Sequence, residues 1–297
     1  MTILPFHANS IRVFPVARGR AVWYGRASRA PGAGRRCPID PLVDTHCHLD
    51  DERFAGDLDA VLARLRDAGV AAAVTVGTDP ASNRWAVEQA EARPGLHAAV
   101  GFHPTEAGRL LSEADWSELE ALVRRPRVVA VGETGLDWHG DRAPRDAQRE
   151  RFARQVAIAR AAGKPVVIHC REAYAECLAQ LRAAWPPPVR GVMHCFAGTE
   201  ADARAALDLG LFLSFAGPVG YPGSHALRGV ARAAPADRFV VETDAPWLPP
   251  QSRRGQRNEP AFVAETVDAL ARARGEPRGT VAARTTENAR ALFALAL

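Results

Sequence analysis

At 297 residues and 47% hydrophobic content, the chain is long enough for one large α/β domain or two small ones. No apolar run approaches the length of a membrane span. The formal charge of +4 comes from 38 basic and 34 acidic residues; residues 1–40 hold seven Arg against Asp40, so residues 41–297 carry 31 basic and 33 acidic groups, a balance of −2. The bulk charge of that larger part therefore does not argue for a nucleic-acid surface. Cys37, Cys47, Cys170, Cys177 and Cys195 are scattered, odd in number and without Cys-x-x-Cys spacing, which argues against a disulfide framework and points to a reducing cytoplasm.

Residues 1–40 are rich in Arg, Gly and Pro and lack helical periodicity or an apolar stretch of signal-peptide length. They read as a disordered or misannotated extension, with a loose nucleic-acid-binding arm as the alternative. The single lysine, Lys164, against 37 Arg makes arginine a habit of the whole chain. From residue 41 to the C-terminus, strand-like and helix-like segments alternate with little slack. Strands are expected at about 42–48, 71–77, 97–102, 128–133, 165–169, 190–195, 211–215 and 238–243. Amphipathic helices are expected at 57–68, 80–92, 114–125, 146–162, 171–184, 199–209, 224–234, 259–274 and 280–295. Asp57, Asp79, Ser112 and Thr199 sit where helix N-caps belong, and Gly69, Gly163 and Gly210 where helices close. Eight β-α units with near-continuous Val/Ile/Ala strands predict parallel strands covered on both sides, hence a (β/α)8 TIM barrel in one domain, 41–297. An open doubly wound sheet would need a Gly-rich turn or another switch-point site after its first strand, where His46-Cys47-His48 stands instead.

Five apolar segments end in metal-capable side chains: Asp44-Thr45-His46-Cys47-His48, Val131-Gly132-Glu133, Val167-Ile168-His169, Val192-Met193-His194 and Glu242-Thr243-Asp244. His46 and His48, two apart on a strand, face one side about 6.5–7 Å apart along the backbone, within reach of one ion. Asp44 either holds an imidazole tautomer or caps the strand end. Cys47, Cys170 and Cys195 each follow a His by one residue, so alternation turns them away as small core residues. Glu133 ends a buried strand, where a carboxylate is costly unless paired; either an arginine or metal ions can pair it. Lys164 lies at the start of the strand that His169 ends, about 16 Å away, so it is misplaced to bridge ions as a carbamate. Glu133 is the bridging candidate. His169 and His194 end their own strands and face the same mouth. Asp244 closes the set, placed to hold an ion and to take a proton from water. His103, in Gly101-Phe102-His103-Pro104, is read as an anion-binding group or a hydrogen-bond partner behind the ligands. Arg171 is read as a phosphate contact or an ion pair with Glu172 or Glu176, and Arg257 as a phosphate contact in the loop after the last strand. Trp138 and Trp247 present aromatic surfaces for wall packing or base stacking.

In register and in order, Asp44-Thr45-His46-Cys47-His48-Leu49-Asp50, Gly132-Glu133-Thr134-Gly135-Leu136-Asp137 and Val167-Ile168-His169-Cys170-Arg171 resemble the TatD family of metal-dependent deoxyribonucleases. So do Gly191-Val192-Met193-His194-Cys195-Phe196, Glu242-Thr243-Asp244-Ala245-Pro246, Arg257-Asn258-Glu259-Pro260 and Thr286-Glu287-Asn288-Ala289. The resemblance implies an amidohydrolase-like barrel with two divalent ions, Mg²⁺, Mn²⁺ or Zn²⁺. One is held by His46, His48, Glu133 and Asp244, the other by Glu133, His169 and His194. The implied activity is hydrolysis of DNA phosphodiesters from an end, with Asp244 and Glu133 as catalytic residues. The alternative on the same ligands is cleavage of an amide, lactam or ester of a small molecule; a non-catalytic DNA-bound role is a third reading. DNA is the expected substrate, and neither a membrane nor an obligate protein partner is expected.

Overall fold

Every segment read as a strand pairs in parallel with the next one along the chain. The computed structural model describes residues 41–297; the basic extension expected at 1–40 lies outside the described residues. The strands are β1 (Leu42–Cys47), β2 (Val70–Val76), β3 (Leu96–Val100), β4 (Val128–Asp137), β5 (Val166–Arg171), β6 (Gly191–Met193), β7 (Phe212–Phe215) and β8 (Phe239–Val241), hydrogen-bonded in that order. The helices α1 (Leu58–Asp67), α2 (Pro80–Ala92), α3 (Glu113–Val123), α4 (Arg145–Ala162), α5 (Tyr174–Ala184), α6 (Glu200–Asp208), α7 (His225–Ala233) and α8 (Val263–Arg274) follow the strands one for one, and α9 (Arg278–Phe293) ends the chain. This is a (β/α)8 barrel. Its seam between β1 and β8 is closed by an isolated parallel bridge, Cys47 with Ala245, and by two backbone bonds, His48 N to Ala245 O (2.7 Å) and Asp244 N to His46 O (2.9 Å).

Asp44 explains why the seam holds at this point. Its Oδ1 accepts from the backbone N–H of Thr243 (2.9 Å) and of His46 (3.3 Å), and its Oδ2 from the Thr243 hydroxyl (2.6 Å). It therefore ties strand ends and touches no imidazole nitrogen. Burial pushes its carboxyl up to about 8, against the opposing pull of the Thr243 bonds.

Alternation divides the strands as expected of a covered barrel. Leu42, Ala98, Val100, Val131 and Ile168 face the helices, while Val43, Ala72, Val74, Ala99, Val129, Val167, Val192 and Val240 fill the interior. Ala289, Leu292 and Phe293 of α9 and the following Leu295 join that interior cluster. Asn288 donates to Phe239 O and Thr286 to Pro41 O, both at strand starts, so α9 closes the barrel floor. The helix ends follow their sequence signals in part. Asp79, Ser112 and Thr199 form capping boxes, whereas Asp57 makes no cap bond and is drawn instead into ion pairs with Arg64 and Arg257.

His97 on β3 is buried with its Nδ1 unpartnered. Burial, reinforced by the charge of Arg127, pushes its imidazole down to about 4. The unfolded chain thus takes up this proton near pH 6.5, before the folded chain does. The stability it contributes is complete above pH 6.5 and is lost as pH falls to 4, by about 3 kcal/mol. We expect His97→Leu to lose correspondingly less stability than the parent over that interval, measured by urea unfolding at stepped pH. Parallel losses in the two proteins would rule the assignment out.

Candidate metal centre

The residues expected as ligands lie at the C-terminal ends of their strands, except Glu133, which stands inside β4. His46 and His48 project from β1 to the same side, with Nε2 atoms 3.0 Å apart. Glu133 Oε2 lies 3.3 and 3.5 Å from these two nitrogens, and Asp244 Oδ1 lies 3.8 and 3.6 Å from them. The other oxygen of Glu133, Oε1, faces a second set: His169 Nδ1 at 2.8 Å, His194 Nε2 at 3.0 Å and His103 Nε2 at 3.3 Å. One carboxylate therefore looks both ways, with imidazoles on either side.

The donor chemistry fits a cation. His48 donates its Nδ1 proton to Val76 O (3.2 Å), so the neutral ring presents the lone pair of Nε2 to its neighbours. His46 Nδ1 is buried with no partner. Two facing Nε2 atoms and two carboxylate oxygens at 3.0–3.8 Å cannot all satisfy one another by hydrogen bonds. A divalent ion accepts from all four. His, Glu and Asp clusters able to hold metal are thus a property of this chain.

Glu133 reaches the centre because β4 bulges. Val131 pairs with Val166 and Thr134 with Ile168, so Gly132 and Glu133 oppose Val167 alone. Gly132 has φ +151°, and a Cβ there would meet Val167 O at 2.6 Å; only glycine fits. β4 then continues to Asp137, whereas the sequence suggested a strand ending at Glu133. Gly132 and Gly135 mimic a loop in the sequence but serve a close approach of β4 to β5.

The electrostatics follow from this crowding. Burial opposes charge on His194, but Glu133 and Glu242 outweigh it and raise its pKa well above the ordinary value. Burial likewise opposes charge on His169, yet hydrogen bonds to Asp137 and Glu133 push it up to about 9. His48 is raised against burial by Asp244 and Glu133. Burial lowers His46 and His103. Burial would raise Glu133 and Asp244, but the surrounding imidazoles hold both carboxyls below their usual range. Imidazolium protons here occupy the role of cations, so ion uptake is coupled to proton release.

Two carboxylates that sequence reasoning gave no role stand behind the histidines. Glu242 Oε1 accepts from His194 Nδ1 (3.0 Å) and from the Cys195 N–H (2.8 Å), and Oε2 accepts from the Ser214 hydroxyl (2.5 Å). Asp137 Oδ2 pairs with His169 Nε2 at 2.9 Å. Such partners fix ring orientation and tautomer. Both stand inside motifs already noticed, so the signal was a second acid beside each ligand segment.

His103 is brought to the centre: its Nδ1 accepts from the Thr105 N–H (3.2 Å), which leaves Nε2 facing Glu133. Arg171 is exposed and makes no ion pair among the described residues; Glu172 pairs with His139 and Glu176 with Arg149. Arg257, expected at substrate phosphate, is turned away. Its Nη atoms donate to Asp57 (2.8 Å on each oxygen), Glu259 (2.8 Å) and Arg53 O (2.5 Å). Its neighbour Asn258 donates to Thr243 O and Trp247 O, holding the loop that carries Asp244. We therefore expect Arg257→Ala to cost about 2 kcal/mol of stability while leaving the salt dependence of substrate KM unaltered, checked by thermal unfolding and kinetics over a salt series.

Above the centre opens a cavity of 370 Å³, lined by the expected ligand residues other than His46, together with Glu106, Arg142 and Trp247. A larger cleft of 600 Å³ lies at the opposite end, beside Gly69 and Gly95, and contains none of the clustered histidines. The family described as TatD related DNase matches residues 43–294. The chain belongs to the TatD family. A TatD protein of Mycobacterium tuberculosis, described as an uncharacterized metal-dependent hydrolase, is 42% identical over 86% of this chain and 98% of its own length. The 3'-5' ssDNA/RNA exonuclease TatD of Pantoea vagans is 38% identical over 86% of this chain and all of its own. The crystal structure of YjjV, a TatD homolog from Escherichia coli K12, superposes with a TM-score of 0.82 at 31% identity, covering 87% of this chain and 100% of that one. This TatD-family chain is thus an enzyme of metal-dependent hydrolase type. Among its described residues no helix is long and apolar enough to cross a membrane.

Proposed function

We propose that the protein removes nucleotides from the 3′ end of single-stranded DNA or RNA, using two divalent ions. The observation that carries this reading is Glu133, whose oxygens face separate imidazole sets on either side. His46, His48, Glu133 and Asp244 would hold one ion, and Glu133, His169 and His194 the other. When bound, the ions supply Lewis acidity and make water at the site acidic enough to ionise near neutral pH. The four imidazoles favour Zn²⁺ or Mn²⁺ over Mg²⁺.

The chain's own groups position and move protons. Asp244 Oδ1 faces His46 and His48, and Oδ2, which has no hydrogen bond among the described residues, accepts the proton of the attacking water. The water oxygen then bonds to phosphorus as the P–O3′ bond breaks, and the leaving oxygen takes a proton from solvent. Glu242 and Asp137 keep His194 and His169 from rotating during the exchange of charge. Support for nucleic acid as substrate comes from the Pantoea relative, and the DNA-end reading agrees with a cavity too small for a duplex.

The test is metal-free protein re-supplied with Zn²⁺, Mn²⁺ or Mg²⁺ one at a time, on labelled linear strands and on a covalently closed single-stranded circle. Stepwise loss from the 3′ end with the circle spared is the expected result. A protein that binds two ions and leaves every strand intact would instead act on an amide or ester.

A further inference from the structure

Of the cavity-wall residues outside the two ligand sets, which also include Thr78, Thr105 and Glu106, Trp247 and Arg142 are the ones able to meet a base and a phosphate. Trp247 is 43% exposed, one of three large hydrophobic residues exposed among those described. Its ring stands 5.0 Å from the His48 ring, edge to face at 71°, so it abuts the first ligand set. Arg53 stacks on it with Cζ 5.0 Å from the ring centroid. That guanidinium is fixed by a two-pronged bond to Asp51, Nε to Oδ1 at 2.8 Å and Nη2 to Oδ2 at 2.9 Å. The indole is thus propped, with its remaining surface open to the cavity. Asn258 holds its backbone carbonyl at 2.6 Å. Such a rigid, half-open aromatic surface is suited to stacking on a planar ring brought into the cavity.

Arg142 follows the 3₁₀ turn His139–Asp141 and also lines the cavity. Unlike Arg53, Arg149, Arg154 and Arg257, it makes no ion pair or hydrogen bond among the described residues. A cation left unpaired beside a cluster of acids and imidazoles is suited to an anion brought by the substrate.

We propose that Trp247 stacks on the base next to the scissile phosphate and that Arg142 binds a neighbouring phosphate of the same strand. The inference rests on the nuclease reading above and names the two residues that distinguish a nucleic-acid strand from a small ester. Stacking on an aromatic tolerates any base, so the preference it creates is for a base over no base.

The experiment is a cycle between protein and substrate, with the metal-loaded enzyme and end-labelled single strands carrying either a normal or an abasic residue next to the cleaved bond. For the parent protein, removing the base should raise KM about 5- to 150-fold. In Trp247→Ala, KM for the normal strand should already be raised by that factor, and removing the base should have no further effect. Trp247→Phe should recover most of the loss. Arg142→Ala should raise KM for both strands alike and lower the slope of log KM against log salt by about 0.7. If base removal penalises parent and Trp247→Ala equally, Trp247 is only a wall residue and the stacking assignment fails. An unchanged salt slope in Arg142→Ala overturns the phosphate assignment. A parent enzyme inert on both strands would overturn the nuclease reading itself, a result distinct from activity without coupling.

Discussion

Glu133→Ala is expected to lower kcat/KM on an end-labelled strand by about 10³-fold or more and to reduce the metal bound per chain. Both effects come from one geometric fact. Oε2 lies 3.3–3.5 Å from the His46 and His48 nitrogens, and Oε1 lies 2.8–3.0 Å from those of His169 and His194. Removing the side chain takes a donor from each set and deletes the anion that balances four imidazoles. Glu133→Gln keeps the shape but loses the charge, so it should retain the fold and still fail in metal retention. Rates measured beside metal content by elemental mass spectrometry separate the possibilities. Full metal with full loss of rate would make Glu133 a catalytic group without a bridging role, and full rate would remove it from the centre.

Gly135→Ala should cost about 4 kcal/mol or more, lowering the melting temperature by on the order of 10 °C. Gly135 pairs with His169 in the β4–β5 ladder at φ +143°, a backbone region closed to side chains. A Cβ placed there would lie 1.9 Å from His169 O and 2.9 Å from its carbonyl carbon. These are backbone atoms of an interior strand and have no free side chain to yield. The strand must move, and His169 moves with it. Calorimetry on the metal-free protein isolates the fold term, since metal binding adds its own stabilisation. A variant melting within about 2–3 °C of the parent would show that β4 has slack here.

The barrel was legible because its signals are local. A run of Val and Ile ending in histidine, repeated at the spacing of β-α units, places side chains at one end of a parallel sheet whatever the details of register. The same holds for the capping boxes of Ser112 and Thr199, each complete within four residues. The roles that stayed hidden depend on partners remote in sequence. Arg257 looks like a phosphate contact until Asp57, 200 residues earlier, is brought beside it. Asp57 looks like a helix cap for the same reason. Glu242 and Asp244 stand two apart in one motif, and nothing local says which faces the ions and which stands behind a ligand. Only the arrangement of β6 to β8 shows Glu242 reaching His194. Glu133 was legible as a residue and not as a geometry: the bulge that aims it is visible only once Val131 and Thr134 are paired with Val166 and Ile168.

The side chains that fill the barrel interior, with α9 packed beneath them, make the mouth a cul-de-sac. Whatever enters the mouth has no exit on the far side, so a polymer can present an end but cannot be drawn through. Each released fragment must leave by the mouth side before the next register can advance. Turnover on a long strand is then a sequence of separate visits, and short products should accumulate evenly across the population of strands, with few consumed to completion while others stand untouched.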